Sequence, residues 1–139
     1  MPKIIRSKHA DENHQVLTVA GPGGRHRRTP CSDCPWRKDA VGIFPAEAFR
    51  ISANTAEDMA ETKFGCHQSG SEKTATCAGF LLRGADHNLS IRLLRSRGEI
   101  PEPDDAGLDL FEDYFDMAVA NGVDPNDPAL KAVRRARKP

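Results

Sequence analysis

Apolar positions along the chain fall into short clusters separated by polar or glycine-rich breaks. The first cluster, His14-Gln15-Val16-Leu17-Thr18-Val19, reads as a short strand, and Gly21-Pro22-Gly23-Gly24 stops any regular element after it. Pro45 suits a first helical position, and Ala46-Glu47-Ala48-Phe49-Arg50-Ile51 continues as a short helix, with Phe44 and Phe49 as core candidates. The polar run 68–74 predicts a loop. From Thr76 the chain turns apolar, and Cys77, Ala78, Phe80, Leu81 and Leu82 predict a helix whose first turn holds Cys77 and whose end is Gly84. Asn88 suits the cap of a further helix bearing Leu89, Ile91, Leu93 and Leu94, ended by Gly98. Beyond Pro101 and Pro103, Phe111, Tyr114, Phe115, Ala118 and Val119 recur at helical spacing and give the clearest amphipathic helix, stopped at Asn121-Gly122. Asp127-Pro128 predicts the start of a last helix that frays into a basic tail.

This pattern divides the chain into an extended N-terminal arm (1–28), a four-cysteine domain (29–98) and a segment (99–139) in which a basic C-terminal helix packs on an acidic amphipathic helix. The expected fold is a small, mainly α domain, or α+β with one short hairpin, stabilised by metal at a four-cysteine centre. A length of 139 residues suits one domain. With 6% aromatic residues, and Trp36 and Tyr114 as the sole Trp and Tyr, the core is modest and gains much from a staple. No apolar run reaches the roughly 20 residues of a membrane span. The start, Met1-Pro2-Lys3-Ile4-Ile5-Arg6, lacks the apolar core of a secretory signal. A cytoplasmic protein with no membrane partner is expected, its cysteines kept reduced and better suited to metal than to disulfides.

The formal net charge is 0, yet the charges are segregated. Arg25, Arg27, Arg28, Arg37 and Lys38 surround the first cysteine pair, and Arg83, Arg92, Arg95 and Arg97 form a second basic set. Between Gly98 and Leu130 acids accumulate with no Lys or Arg, before Lys131, Arg134, Arg135, Arg137 and Lys138. One reading pairs the acidic stretch with the basic sets inside the molecule. The other assigns a basic face to nucleic acid, with Arg25, Arg27, Arg28, Trp36 and Arg37 as the contact residues; Trp36 then either serves as a stacking platform or, the preferred reading for a sole Trp, covers the metal knuckle. In the alternative partner reading, the acidic helix at 108–121 imitates a nucleic-acid backbone and docks on a host protein.

The candidate chemistry lies in the cysteines. Cys31-Ser32-Asp33-Cys34 is a C-x2-C pair that lets two thiolates meet one ion from a tight turn, and Cys66 and Cys77 complete a set of four with none left over. Arg37, Lys38 and the backbone amides at a helix start near Cys77 favour the thiolate form. Zinc is the expected metal. A 4Fe-4S cluster is the alternative, because it also takes four thiolates and Cys34-Pro35 is similar to the Cys-Pro of cluster loops. In that case the protein is a redox-sensing regulator. A redox disulfide, or cysteines serving as small buried hydrophobes, are the remaining readings. His67 follows Cys66 directly and either supports a sulfur or substitutes as ligand. A four-thiolate site is closed to water, and the chain has no His-x-Glu deaminase element, phosphate-binding glycine loop or serine-nucleophile elbow. A non-enzymatic regulatory or binding module is therefore expected.

Cys31-x-x-Cys34-Pro35-Trp36-Arg37, Phe64-x-Cys66-His67-Gln68 and Cys77-Ala78-Gly79-Phe80-Leu81 together resemble an uncharacterised family of small bacterial and phage proteins, known only as a domain of unknown function. The resemblance covers about residues 29–98. It implies a bacterial or phage origin and marks Cys31, Cys34, Cys66, His67 and Cys77 as the site, framed by Pro35, Trp36, Arg37, Gly79 and Phe80. Phe80 stands where the family more often carries Trp. No activity comes with the resemblance.

Overall fold

Residues 3–9, 15–20, 25–32, 34–64, 75–100 and 102–135 are described by the computed structural model. The expected strand forms as β2 (Gln15–Ala20) and pairs antiparallel with β1 (Lys3–His9), so the first part of the arm is a two-stranded ladder. β4 (Lys63–Phe64) adds to the other edge of β2, Thr18 lying opposite Phe64. A second pairing, parallel and two residues long, joins β3 (Arg25–His26) to β5 (Ala75–Thr76).

Four α-helices occur among the described residues: α1 (Ala46–Ser52), α2 (Ala78–Arg83), α3 (Leu89–Ser96) and α4 (Tyr114–Ala120). With only short strand pieces beside them, the domain is small, mixed and α-rich. Its caps follow the local sequence. The Asp113 side chain accepts the Asp116 amide at the start of α4, placing an acid on the first orphan donors. After α3, Gly98 takes φ +69° while its amide and that of Glu99 close on the Arg95 and Leu94 carbonyls, a Schellman stop. α4 closes in the same way, through the Gly122 and Val123 amides on Val119 and Ala118.

Asn88 does more than cap. Its side-chain oxygen accepts the Ile91 amide at 3.2 Å, and its amide nitrogen donates to the carbonyls of Thr55 (3.1 Å) and Thr62 (2.6 Å). Because Asn88 is wholly buried, Asn88→Ala leaves these groups without water as a substitute. We expect a loss of about 3 kcal/mol in a urea unfolding titration, against roughly 1 kcal/mol for a simple exposed cap.

The C-terminal helix expected from Asp127-Pro128 is instead a single 3-10 turn, Pro128–Leu130, with Asp127 accepting the Ala129 amide. Burial of Leu130 and Val133, a bridge between Val133 and Glu57, and the Arg134 amide on the Ala56 carbonyl hold the chain as a strap. Continued helix would forfeit these contacts.

One core joins the four-cysteine segment to the acidic segment. Trp36 meets Phe64, Phe80 and Tyr114 at ring-centroid distances of 5.9, 6.4 and 5.8 Å, with Phe49, Leu81, Ile91 and Met117 packed around them. The buried Tyr114 hydroxyl donates to the Phe49 carbonyl and shares a hydrogen bond with Ser52, tying α4 to α1. No described helix is long and apolar enough to cross a membrane.

Candidate metal centre

The first cysteine pair sits on a tight turn. The Cys34 amide donates to the Cys31 carbonyl (3.2 Å), the Arg37 amide donates to the Cys34 carbonyl (3.0 Å), and the Trp36 amide reaches the Cys34 sulfur. Two backbone bonds then clamp this turn to the segment before α4, Phe111 amide to Trp36 carbonyl and Lys38 amide to Asp109 carbonyl, both 3.0 Å. Cys77 enters from the other side. It is the N-cap of α2, and its own amide donates to the Phe64 carbonyl at 2.9 Å. The β3–β5 pairing, continued by the Arg27 amide on the Thr76 carbonyl, runs the approach to Cys31 beside the approach to Cys77.

These supports bring the sulfurs of Cys34 and Cys77, 43 positions apart in sequence, to 3.6 Å. Cys31 is hydrogen-bonded to Cys34 as well, and all three residues are buried. The Cys31 hydrogen bond favours the Cys34 thiolate. It is outweighed by the hydrogen bond with Cys77, burial and repulsion from Cys77, so the Cys34 thiol is pushed well above its ordinary range. That cost is what a bound cation removes, since thiolates clustered in a low-dielectric site ionise readily only on a metal.

Sequence expectations fare unevenly at this site. Cys31, Cys34 and Cys77 come together. Cys66, His67 and the expected loop 68–74 lie outside the described residues. Among the described residues, no three of His, Cys, Asp and Glu are arranged as a metal-holding group. Trp36 as a stacking platform is corrected: it is 0% exposed, enclosed by the aromatic core, and has no face to offer a base. Its indole N–H has no hydrogen-bond partner among the described residues. Arg37 is turned inward, its guanidinium held by Asp39 and by the Cys31 carbonyl. Arg28 is exposed and Arg27 half-buried, while Arg25 contributes its backbone to β3.

Part of the acidic stretch is paired within the molecule, while Asp104, Asp105, Glu112 and Asp124 have no cationic partner among the described residues. Arg135 binds Asp113 (2.9 Å) and Asp116 (3.0 Å) while lying over the Phe115 ring, Arg50 binds Asp127 (2.8 Å), and Lys38 approaches Asp109 (3.4 Å). Arg95 lies between Asp86 and Glu102, and Arg97 beside Glu99. Most of these pairs are solvent-exposed and individually worth little. Their bearing is on function, because the acids of α4 are already neutralised by a cation of the same chain.

Asp39, which the sequence did not single out, completes the frame together with Tyr114 and Gly84, which it did not place at the site. Asp39 orients Arg37, Tyr114 supports Trp36, and Gly84 admits the Trp36 ring against the end of α2. The only local signal for Asp39 was its spacing of two from Arg37.

No curated protein and no solved structure matches the chain. A family model described as "Family of unknown function (DUF6283)" matches residues 26–134. The match runs beyond Gly98, where the motif resemblance stopped, through α4 and the strap that share the Trp36 core. It spans most of the chain and all four cysteines, and the chain belongs to this family of unknown function.

Proposed function

We propose that the protein is a non-enzymatic binding module of bacterial or phage origin, organised by one zinc ion on Cys31, Cys34, Cys66 and Cys77, that contacts nucleic acid in the cytoplasm. The observation carrying the metal reading is the 3.6 Å separation of the Cys34 and Cys77 sulfurs. Four sulfurs tetrahedrally disposed about 2.3 Å from a zinc ion lie about 3.8 Å apart. In a 4Fe-4S cluster each thiolate takes a different iron, which holds cysteine sulfurs much further apart. Phe64 supports the fourth donor, because its carbonyl accepts the Cys77 amide and Cys66 follows it by two residues, within a reach of about 7 Å. Such a centre is saturated by protein ligands and acts as a staple rather than as a Lewis acid.

Cobalt reports this geometry. Anaerobic reconstitution with Co2+ should give intense thiolate-to-metal charge transfer together with the visible bands of a tetrahedral site, and zinc should bleach both. A cobalt-loaded sample without charge transfer would remove the thiolate centre from consideration.

The choice of partner rests on charge. Arg27 and Arg28 have no acidic partner among the described residues, whereas the acids of α4 are engaged by Arg135. That favours a basic contact with phosphates over an acidic decoy for a host protein. We expect labelled single- and double-stranded oligonucleotides to bind at low salt with affinity falling steeply as salt rises. Neutralising Arg27 and Arg28 together should shallow the log–log salt slope by about 2. Equal affinity across the salt series, or no binding at the lowest salt, rejects nucleic acid as the partner.

A further inference from the structure

We infer that Arg37 is the positioning residue of the thiol centre: its guanidinium, held in place by Asp39, offsets the thiolate charge and sets how tightly the centre holds zinc. This rests on the zinc reading above and reassigns Arg37 from an outward contact to an inward one.

Three edges of the guanidinium are fixed. Nε and Nη2 donate to the two carboxylate oxygens of Asp39 at 2.8 and 2.7 Å, and Nη1 donates to the Cys31 carbonyl at 3.2 Å. The backbone is fixed too, by the Arg37 amide on the Cys34 carbonyl and by a bridge between Arg37 and Leu110. The pairing with Asp39 lies at the surface, since that carboxylate is 62% exposed, while the Nη1 edge is directed at the Cys31 turn. The Arg37 side chain is 18% exposed, against 49% for its neighbour Lys38, whose ammonium is directed at Asp109.

Four thiolates on one divalent ion leave a net charge of about −2 in a buried site. A neighbouring cation lowers the free energy of that state and leaves the protonated, metal-free state almost untouched, so its contribution goes to affinity. Arginine suits the task because it keeps its charge at any working pH and bridges two acceptors with one rigid fork. Lysine in its place would supply charge without the bridge. Groups that support metal ligands in this way typically change affinity about 10–100-fold on removal.

The test is zinc competition against a chromophoric chelator, run on the full chain as wild type, Arg37→Gln, Arg37→Lys and Lys38→Gln. The expected order is Lys38→Gln equal to wild type within about twofold, Arg37→Lys weaker, and Arg37→Gln weakest by about 10–100-fold. Lys38→Gln is the control for net charge, since it removes one positive charge next door without touching the centre. If it weakens zinc as much as Arg37→Gln, overall charge explains the effect and the inference falls. Affinity of Arg37→Gln within twofold of wild type overturns it also. If Arg37→Gln does not fold, Arg37→Lys decides, and wild-type affinity there refutes the role of the fork. Absence of zinc binding by the wild type refutes the centre itself, which separates the two claims.

Discussion

Removing the proposed zinc should unfold the protein. Cys34 and Cys77 meet where the C-x2-C turn, the start of α2 and, through the Phe64 carbonyl, β4 converge. A structural zinc site contributes about 10–16 kcal/mol of apparent binding free energy, comparable with or larger than the roughly 5–15 kcal/mol stability of a whole domain. Chelation under reducing conditions, or Cys77→Ser, therefore leaves little to hold Trp36 in its aromatic cage. Trp36 is the sole tryptophan, so its fluorescence reports the event directly. We expect a red-shifted emission, loss of a cooperative thermal transition, and rapid proteolysis within both α2 and α4, because the same turn is clamped to residues 109–111. Zinc returned in slight excess should restore all three to the chelated wild type but not to Cys77→Ser. Unchanged emission and an intact transition after complete chelation would mean that the apolar core suffices without the metal.

The second large effect is steric. A Cβ built on Gly79 falls 2.5 Å from the Trp36 Cβ, and one built on Gly84 falls 2.4 Å from Trp36 Cη2. The indole is wedged along α2 at both ends and is flanked by Phe64, Phe80 and Tyr114, so it has no direction in which to retreat. For Gly79 the contact is with the Trp36 Cβ, which no side-chain rotation can move. Overpacking of this kind costs typically about 1–3 kcal/mol, while alanine inside a helix recovers at most about 1 kcal/mol over glycine. The clash wins. Gly79→Ala and Gly84→Ala should each lower the thermal midpoint by about 3–12 °C, on the scale of roughly 3–4 °C per kcal/mol for a chain of this size. Gly84→Ala combined with Trp36→Leu should lose less than the two single changes added, because the smaller residue vacates the space the methyl needs. Differential scanning calorimetry of metal-loaded protein measures all of these. A midpoint for Gly84→Ala at or above wild type would contradict the packing described.

Local chemistry was the legible part of the sequence. Asn88 and Gly98 act where their residue types predict, but Cys77 caps α2 instead of lying in its first turn, and the helix expected at 108–121 is shorter, α4 running only from Tyr114 to Ala120 with Phe111 ahead of it. Such caps and stops depend only on neighbours within a turn or two. What escaped depends on distant partners. β3 and β5 are two residues each, too short to carry alternation, yet their pairing aligns the approaches to Cys31 and Cys77. The depth of Trp36 follows from two glycines more than 40 positions away. β1 needed β2 to become a strand, and the chain after Pro128 gave up helix because Leu130 and Val133 found burial as a strap. The charge segregation was visible, but only the fold shows Arg135 on Asp113 and Asp116 and Arg50 on Asp127. At the candidate site, cysteine spacing could not show that Cys34 and Cys77 lie 3.6 Å apart or that Arg37 reaches the Cys31 carbonyl.

The central claim is that buried thiols of this chain form a single zinc centre, and elemental analysis of anaerobically purified protein tests it most directly. Zinc at one per chain, with no visible absorption and no acid-labile sulfide, is the predicted result. Protein that folds with no bound metal, or that carries iron and sulfide with a brown colour, would contradict it.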